Sequence, residues 1–289
     1  MTSSAQAVPS IPVLQAIAPL VAGTGAWLVD IWGVMHDGVR PFAAACDACA
    51  RFRQDGGLVL LLSNSPRPRD GVAAQLDRIG VPRMSWDAIV TSGDVARSLI
   101  AAFAGRPVVH LGPERDLPIF AGIDVERVGP ERAEAIVCTG LFDDERETPD
   151  DYTETLNQCA ARRLPMICAN PDIAVERGGR LVYCAGALAQ AYAALGGDVS
   201  YAGKPYLPIY ELALATLETL RPASADRARL LAIGDGVNTD IAGAAAAGVR
   251  SVFVASGVHV TGGLDDIALA ALFPAGGPRP VAAMTSLAW

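Results

Sequence analysis

Trp27-Leu28-Val29-Asp30-Ile31-Trp32-Gly33-Val34 is an apolar run that delivers a carboxylate and then a glycine. A buried parallel strand reads this way when it carries an acid at its C-terminal end, and in open α/β sheets that end is where ligands bind. The pattern recurs along the chain. Strand-like segments at 26–34, 58–62, 107–111, 134–139, 165–169, 180–184, 199–203, 229–234 and 250–255 alternate with helix-like ones at 41–54, 68–79, 93–104, 151–162, 186–195, 206–220 and 239–247. One helix between successive strands implies right-handed crossovers and a mostly parallel sheet. Leu58 to Leu62 and Leu230 to Ile233 are apolar on both faces, as strands covered on both sides are. The fold class is therefore α/β with a Rossmann-like parallel sheet. Helix ends are signalled too, by Asp150 and Asp151 and by Asn238-Thr239-Asp240 at starts, and by Gly248 at a stop.

Composition narrows the function classes. With 289 residues, 51% hydrophobic and 19% charged, the chain is long enough for one large or two medium domains and too apolar to be disordered. A net charge of −8, without a block of Lys and Arg, argues against a nucleic-acid surface. The first 23 residues carry no basic start for a secretory signal, and no apolar run is long enough for a membrane span, so the expected setting is cytoplasmic. Six scattered cysteines fit a reducing compartment. Cys46 and Cys49 form a C-x-x-C within a helical stretch, without a second pair at zinc spacing, and read as small core residues.

Four motifs each follow an expected strand. Asp30 can attack phosphorus as an aspartyl nucleophile, or simply cap a turn. Leu60-Leu61-Leu62-Ser63-Asn64-Ser65 ends in a hydroxyl and backbone N–H groups able to hold phosphate oxygens, or is an ordinary strand-to-turn transition. Lys204, in Gly203-Lys204-Pro205, can neutralise nucleophile and phosphoryl charge, or face solvent. Asp235 and Asp240, in Ile233-Gly234-Asp235-Gly236-Val237-Asn238-Thr239-Asp240, offer hard oxygen ligands beside tight turns, which suits Mg²⁺; the plainer reading is a helix cap and a turn. The motifs group at 30–67 and 204–240. A middle domain at 86–198 inserted into an outer one, 1–85 plus 199–289, fits that spacing.

In this order the motifs resemble the haloacid dehalogenase superfamily, and more narrowly its class IIA, the NagD-like and 4-nitrophenylphosphatase-like hydrolases. The resemblance runs from about Ala26 to about Gly257. It implies an α/β cap domain inserted in the sheet domain and Mg²⁺-dependent hydrolysis of a small phosphate monoester, a sugar phosphate or similar metabolite, through an aspartyl-phosphate. It assigns Asp30 as nucleophile, Ser63 and the Asn64 N–H as phosphate-binding groups, and Lys204 as the neutralising cation. The metal ligands become Asp30, the Trp32 backbone carbonyl and Asp235, with Asp240 in support. In the cap, Asn170-Pro171-Asp172 leading into Ile173–Gly179 makes Asn170, Asp172, Glu176 and Arg177 substrate candidates, or plain turn chemistry. Arg67 is a further candidate for an anionic group on the substrate. Members of the group often pair through the cap, so a homodimer is an open expectation.

Trp32 departs from that family, which carries an acid two residues after the nucleophile. Indole neither protonates a leaving oxygen nor activates water. Three explanations stand: His36 or Asp37 substitutes; substrates have leaving groups that need no proton; or the chain is a phosphate-ligand-binding, regulatory protein with little turnover. A nucleotide-cofactor oxidoreductase is disfavoured, because no G-x-G-x-x-G follows the first strand.

Overall fold

The computed structural model describes residues 10–177, 179–255 and 263–289; Gly178 of the cap loop and Gly257 lie outside them. The described residues form, in chain order, β1 (Ala26–Asp30), α1 (Ala43–Gln54), β2 (Leu58–Ser63), α2 (Arg69–Ile79), β3 (Ala88–Thr91), α3 (Ser92–Ala101), β4 (Pro107–Leu111), β5 (Glu126–Arg127), β6 (Ala135–Cys138), α4 (Thr153–Ala161), β7 (Met166–Cys168), β8 (Ala174–Arg177), β9 (Arg180–Tyr183), α5 (Ala185–Ala194), β10 (Val199–Tyr201), α6 (Leu207–Leu220), β11 (Leu230–Gly234), α7 (Ala242–Ala246), β12 (Arg250–Val254), α8 (Asp266–Leu272) and β13 (Ala282–Met284). The expected α/β class is the observed one. A parallel six-stranded sheet runs β13-β12-β11-β1-β2-β3, and a parallel five-stranded sheet runs β10-β7-β6-β4-β5.

Both faces of the larger sheet are buried, and the alternation of side chains divides them. Trp27, Val29, Val59, Leu61, Leu231 and Ile233 share one apolar cluster with α1 and α2, where Trp27 stacks on Phe52 at 4.0 Å. Leu28, Leu60, Leu62, Leu230 and Ala232 point the other way, into a cluster with Ile209, Tyr210, Ala213 and Leu217 of α6. Val108, Val137 and Ile167 of the second sheet belong to that same cluster, so the two layers share one core. Strand order then creates the site. The chain builds outward through β2 and β3, returns, and builds the other way through β11, β12 and β13, which leaves a topological switch point between β1 and β11.

Several expectations shift. The first strand stops at Asp30 rather than running to 34, because the Met35 N–H donates to the Ile31 carbonyl at 2.9 Å and Gly33 turns with φ +85°. Segment 180–184 does not extend a parallel sheet; β9 pairs antiparallel with β8 as a separate hairpin. The insert boundaries also move. β3 pairs with β2 in the larger sheet although it lies inside the expected insert 86–198, and β10 pairs with β7 in the smaller sheet although it lies outside. Asn238, Thr239 and Asp240 fall in a π-helical turn, Val237–Ile241, rather than capping a helix. Gly248 does end α7, with φ +70°. Among the described residues no helix is long and apolar enough to cross a membrane, and all six cysteines are free and buried.

Candidate active site

Three neighbouring strands end together. Asp30 is opposite Leu62 in the β1–β2 register, so Asp30 and Ser63 finish adjacent strands, and Gly234 finishes β11 on the other side. Asp235 and the turn carrying Asp240 follow directly. The result is a compact group: carboxylate oxygens of Asp30, Asp235 and Asp240 all lie within 4.8 Å of one another. Close backbone approach makes this fit. A Cβ on Gly33 would stand 2.2 Å from Asp235 Oδ2, and one on Gly234 would stand 2.2 Å from Asp240 Cγ. A side chain at either position would force the facing carboxylate to move.

Lys204 enters from the polypeptide that leaves β10. It is 2% exposed, and its Nζ donates to Asp30 Oδ1, to Asp240 Oδ1 at 2.8 Å and to the Leu62 carbonyl at 3.2 Å. Burial opposes its charge, but Asp240 and Asp30 outweigh burial and hold the ammonium well above the ordinary lysine range. Burial raises Asp30; Lys204 pulls it down, and Asp240 and Asp235 push it up again, leaving the carboxyl well above the usual range. Three carboxylates brought this close offer the hard oxygen donors that suit a divalent cation.

Asn64 links this group to the second layer. Its Oδ1 accepts from the Lys204 N–H at 2.7 Å; its Nδ2 donates to the Lys204 carbonyl at 3.1 Å and to Asp172 Oδ1 at 2.9 Å. Asn170 Oδ1 accepts from the Asp172 N–H at 3.1 Å. Asn170 and Asp172, both expected from the sequence, thus reach the site. Glu176 and Arg177 do not join that network: Glu176 is exposed on β8, and Arg177 is tied to Asp144, Nη2 to Oδ2 at 3.0 Å, alongside Arg115. Ser63 Oγ accepts from the Ser65 N–H at 3.1 Å at the mouth of the site. Arg67 donates to Gln75 Oε1 at 2.7 Å.

Trp32 folds its indole back over its own loop. The ring meets His36 edge-on with centroids 5.4 Å apart, and a Cβ on Gly38 would stand 2.5 Å from Trp32 Cη2. His36 is 2% exposed; its Nδ1 accepts from the Gly38 N–H at 2.9 Å, and burial lowers its pKa against the pull of Asp37. Asp37 Oδ1 accepts from the N–H groups of Val39 at 2.8 Å and Arg40 at 2.7 Å. His36 and Asp37, one of the three explanations offered for Trp32, both have side-chain atoms engaged in holding the 33–41 turn.

Reading the sequence named Asn64 for its N–H but missed the role of its side-chain amide, and it missed two further groups, the Leu62 carbonyl and Ser92. The Leu62 carbonyl is a backbone group without a sequence signature. The two-way amide of Asn64 depends on a partner 140 positions away. Ser92, fully buried with Oγ unpartnered, lies beside Gly203 at the start of α3; with β3 unrecognised, nothing marked it.

Comparison with known proteins agrees with this geometry. Residues 27–126 match the haloacid dehalogenase-like hydrolase family, and 201–274 match the HAD-hydrolase-like family. A crystal structure of a haloacid dehalogenase-like family hydrolase from Brucella suis 1330 is 47% identical, with a TM-score of 0.86, covering 95% of this chain and 100% of that one. The chain belongs to the haloacid dehalogenase-like hydrolases. A D-glycerol 3-phosphate phosphatase from Mycobacterium tuberculosis is 29% identical over 80% of this chain, which spans 63% of the length of that enzyme. A glycerol phosphate phosphatase from the same organism, solved with magnesium, is 26% identical with a TM-score of 0.68, covering 93% of this chain and 77% of that one. A 4-nitrophenylphosphatase from Thermotoga maritima shares the fold, at 20% identity with a TM-score of 0.70, covering 92% of this chain and 96% of that one. This haloacid dehalogenase-like chain is a hydrolase, built on the expected two-layer α/β plan.

Proposed function

We propose that this hydrolase is a Mg²⁺-dependent phosphatase acting on a small phosphate monoester, a sugar phosphate or similar metabolite. The observation that carries the reading is Lys204 Nζ, buried and shared between Asp30 and Asp240, with Asp235 completing a three-carboxylate group. The mycobacterial relative named for glycerol phosphate supports the substrate class, and its magnesium complex supports the ion.

Asp30, Asp235, Asp240 and the Trp32 carbonyl would hold the cation, and the donor set, all hard oxygen, fits it. When bound, the ion neutralises phosphoryl and carboxylate charge. The remaining work falls to side chains. Asp30 attacks phosphorus in line with the leaving oxygen and forms an aspartyl-phosphate. Lys204, Ser63 Oγ and the Asn64 N–H hold the phosphoryl oxygens where charge spreads in the transition state. Water then hydrolyses the intermediate and returns the Asp30 carboxylate. The layer built on β4 to β10 acts as the cap that selects the substrate. Six buried, unpaired cysteines support the cytoplasm as its setting.

The test is a phosphate-release screen with Mg²⁺ over sugar phosphates, glycerol phosphate, 4-nitrophenyl phosphate and acetyl phosphate, each beside Asp30→Asn. Release that Asp30→Asn abolishes supports the reading. Silence across the panel with Mg²⁺ still bound overturns it, in favour of a phosphate-ligand-binding protein.

A further inference from the structure

We propose that the Asp172 carboxyl, presented by the second layer, is the proton-transfer group that position 32 lacks. The inference rests on the phosphatase reading and adds a second catalytic residue to it. Position 32 contributes an indole turned onto Gly38 and His36, so the loop after β1 brings no acid to the leaving group. Asp235 and Asp240 are committed to the three-carboxylate group, and Asp37 to its own turn. Asp172 is different. It stands one amide from Lys204: Asp172 Oδ1 to Asn64 Nδ2 is 2.9 Å, and Asn64 Oδ1 to the Lys204 N–H is 2.7 Å.

The loop that carries Asp172 is firmly placed. Pro171 Cδ would lie 2.8 Å from a Cβ on Gly203, the residue before Lys204. The Gly186 N–H at the start of α5 donates to the Asp172 carbonyl at 3.1 Å. The groups around the carboxyl come from every neighbouring element: Asn64 after β2, Lys204 and Asp240 from the larger layer, Cys168 and Asn170 from the β7 end, and Cys184 before α5. Burial raises its pKa; Asn64 and Lys204 lower it and Asp240 raises it, and burial prevails. Burial therefore favours the protonated carboxyl, the form a general acid uses.

Both half-reactions balance. As the Asp30 oxygen bonds to phosphorus and the ester P–O bond breaks, the Asp172 proton passes to the departing alkoxide, which leaves as the alcohol. The Asp172 carboxylate then takes a proton from water; the hydroxide bonds to phosphorus, the P–O bond to Asp30 breaks, and phosphate is released with Asp172 again protonated.

Asp172→Asn keeps the acceptor for Asn64 and removes the proton. Wild type, Asp172→Asn and Asp30→Asn are compared on glycerol phosphate, 4-nitrophenyl phosphate and acetyl phosphate with Mg²⁺. Loss of all turnover in Asp30→Asn establishes the underlying phosphatase; if Asp30→Asn still turns over, that reading fails rather than this one. For Asp172→Asn the expected result is an alkyl-phosphate rate lower by about 10²–10⁴-fold. Acetyl phosphate should give a burst near one equivalent per enzyme, followed by slow release. The burst counts folded, competent sites, so it separates lost chemistry from lost structure. An equal loss on all three substrates without a burst, or an alkyl-phosphate rate within a few-fold of wild type, would overturn the assignment.

Discussion

Replacing Lys204 with methionine keeps most of the stem's volume and deletes the charge that Asp30 and Asp240 share. Their oxygens, with those of Asp235, lie within 4.8 Å of one another. Two carboxylates at that separation repel by about 3.5 kcal/mol at an effective dielectric of ~20. Removing one partner of a buried ion pair typically costs about 3–5 kcal/mol, in line with that figure. Protonation limits the loss. A carboxyl raised above its ordinary value of 3.8 holds a proton that the unfolded chain has released. The folded state then binds more protons than the unfolded one, so stability falls as pH rises through the raised pKa and recovers as pH drops. The expected result, in urea unfolding with EDTA present, is a loss of about 3 kcal/mol at pH 8 that shrinks towards pH 5. A loss under about 0.5 kcal/mol at both pH values would refute the buried, shared ammonium, since surface lysines behave that way.

Two other outcomes follow from the same geometry. Gly33→Ala, at φ +85° and with its Cβ 2.2 Å from Asp235 Oδ2, should strain the backbone and displace that carboxylate; we expect magnesium activation to weaken about tenfold or more, equivalent to roughly 1.4 kcal/mol, and an unchanged activation constant would contradict this close approach. His110 contacts Thr139 Oγ1 at 2.9 Å, and burial together with Arg127 lowers its pKa to about 4 from the ordinary 6.5. Between those values the unfolded chain binds the extra proton, so stability is complete above about pH 6.5 and is lost as pH falls towards 4; wild type should lose at most about 2 kcal/mol more than His110→Gln between pH 7 and pH 5, and parallel pH curves would refute it.

What the sequence made legible was the part that depends on strand ends. Asp30, Ser63 and the Asp235–Asp240 turn follow recognisable apolar runs that the register of one sheet brings side by side, while Lys204 follows β10 of the other sheet and reaches them through its side chain. The elements that were missed carry weaker signals. β3 is only four residues, Ala88–Thr91, directly fused to α3 without a turn residue between them. β8 is half exposed and pairs only with β9, so it lacks the apolar pattern of a core strand. β13 is an Ala-Ala-Met segment whose burial comes from packing against β12 and the chain near Val13. The partner of Arg177 was illegible for another reason: proximity in sequence to Asp172 does not reveal that a hairpin turns it towards Asp144.

The position of Asp172 ties the chemistry to the seating of one layer on the other. A proton-transfer group on the loop after β1 would keep its place whatever the second layer did; one on the loop after β7 works only where that layer is docked. Two features meet this demand. Leu60, Val90 and Ile209 of the larger layer share one buried cluster with Val108, Val137 and Ile167 of the smaller, so separating the layers would expose apolar surface on both. At the polar end of that contact, Asn64 bonds Asp172 and both backbone groups of Lys204. One amide thereby sets the distance between the charge-neutralising lysine and the carboxyl of the opposite layer. Asn64→Ala should consequently impair alkyl-phosphate turnover more than acetyl-phosphate turnover, because it loosens the leaving-group side of the site while Lys204 Nζ retains Asp30, Asp240 and the Leu62 carbonyl. Equal impairment on both substrates would show that Asn64 serves only the phosphate side.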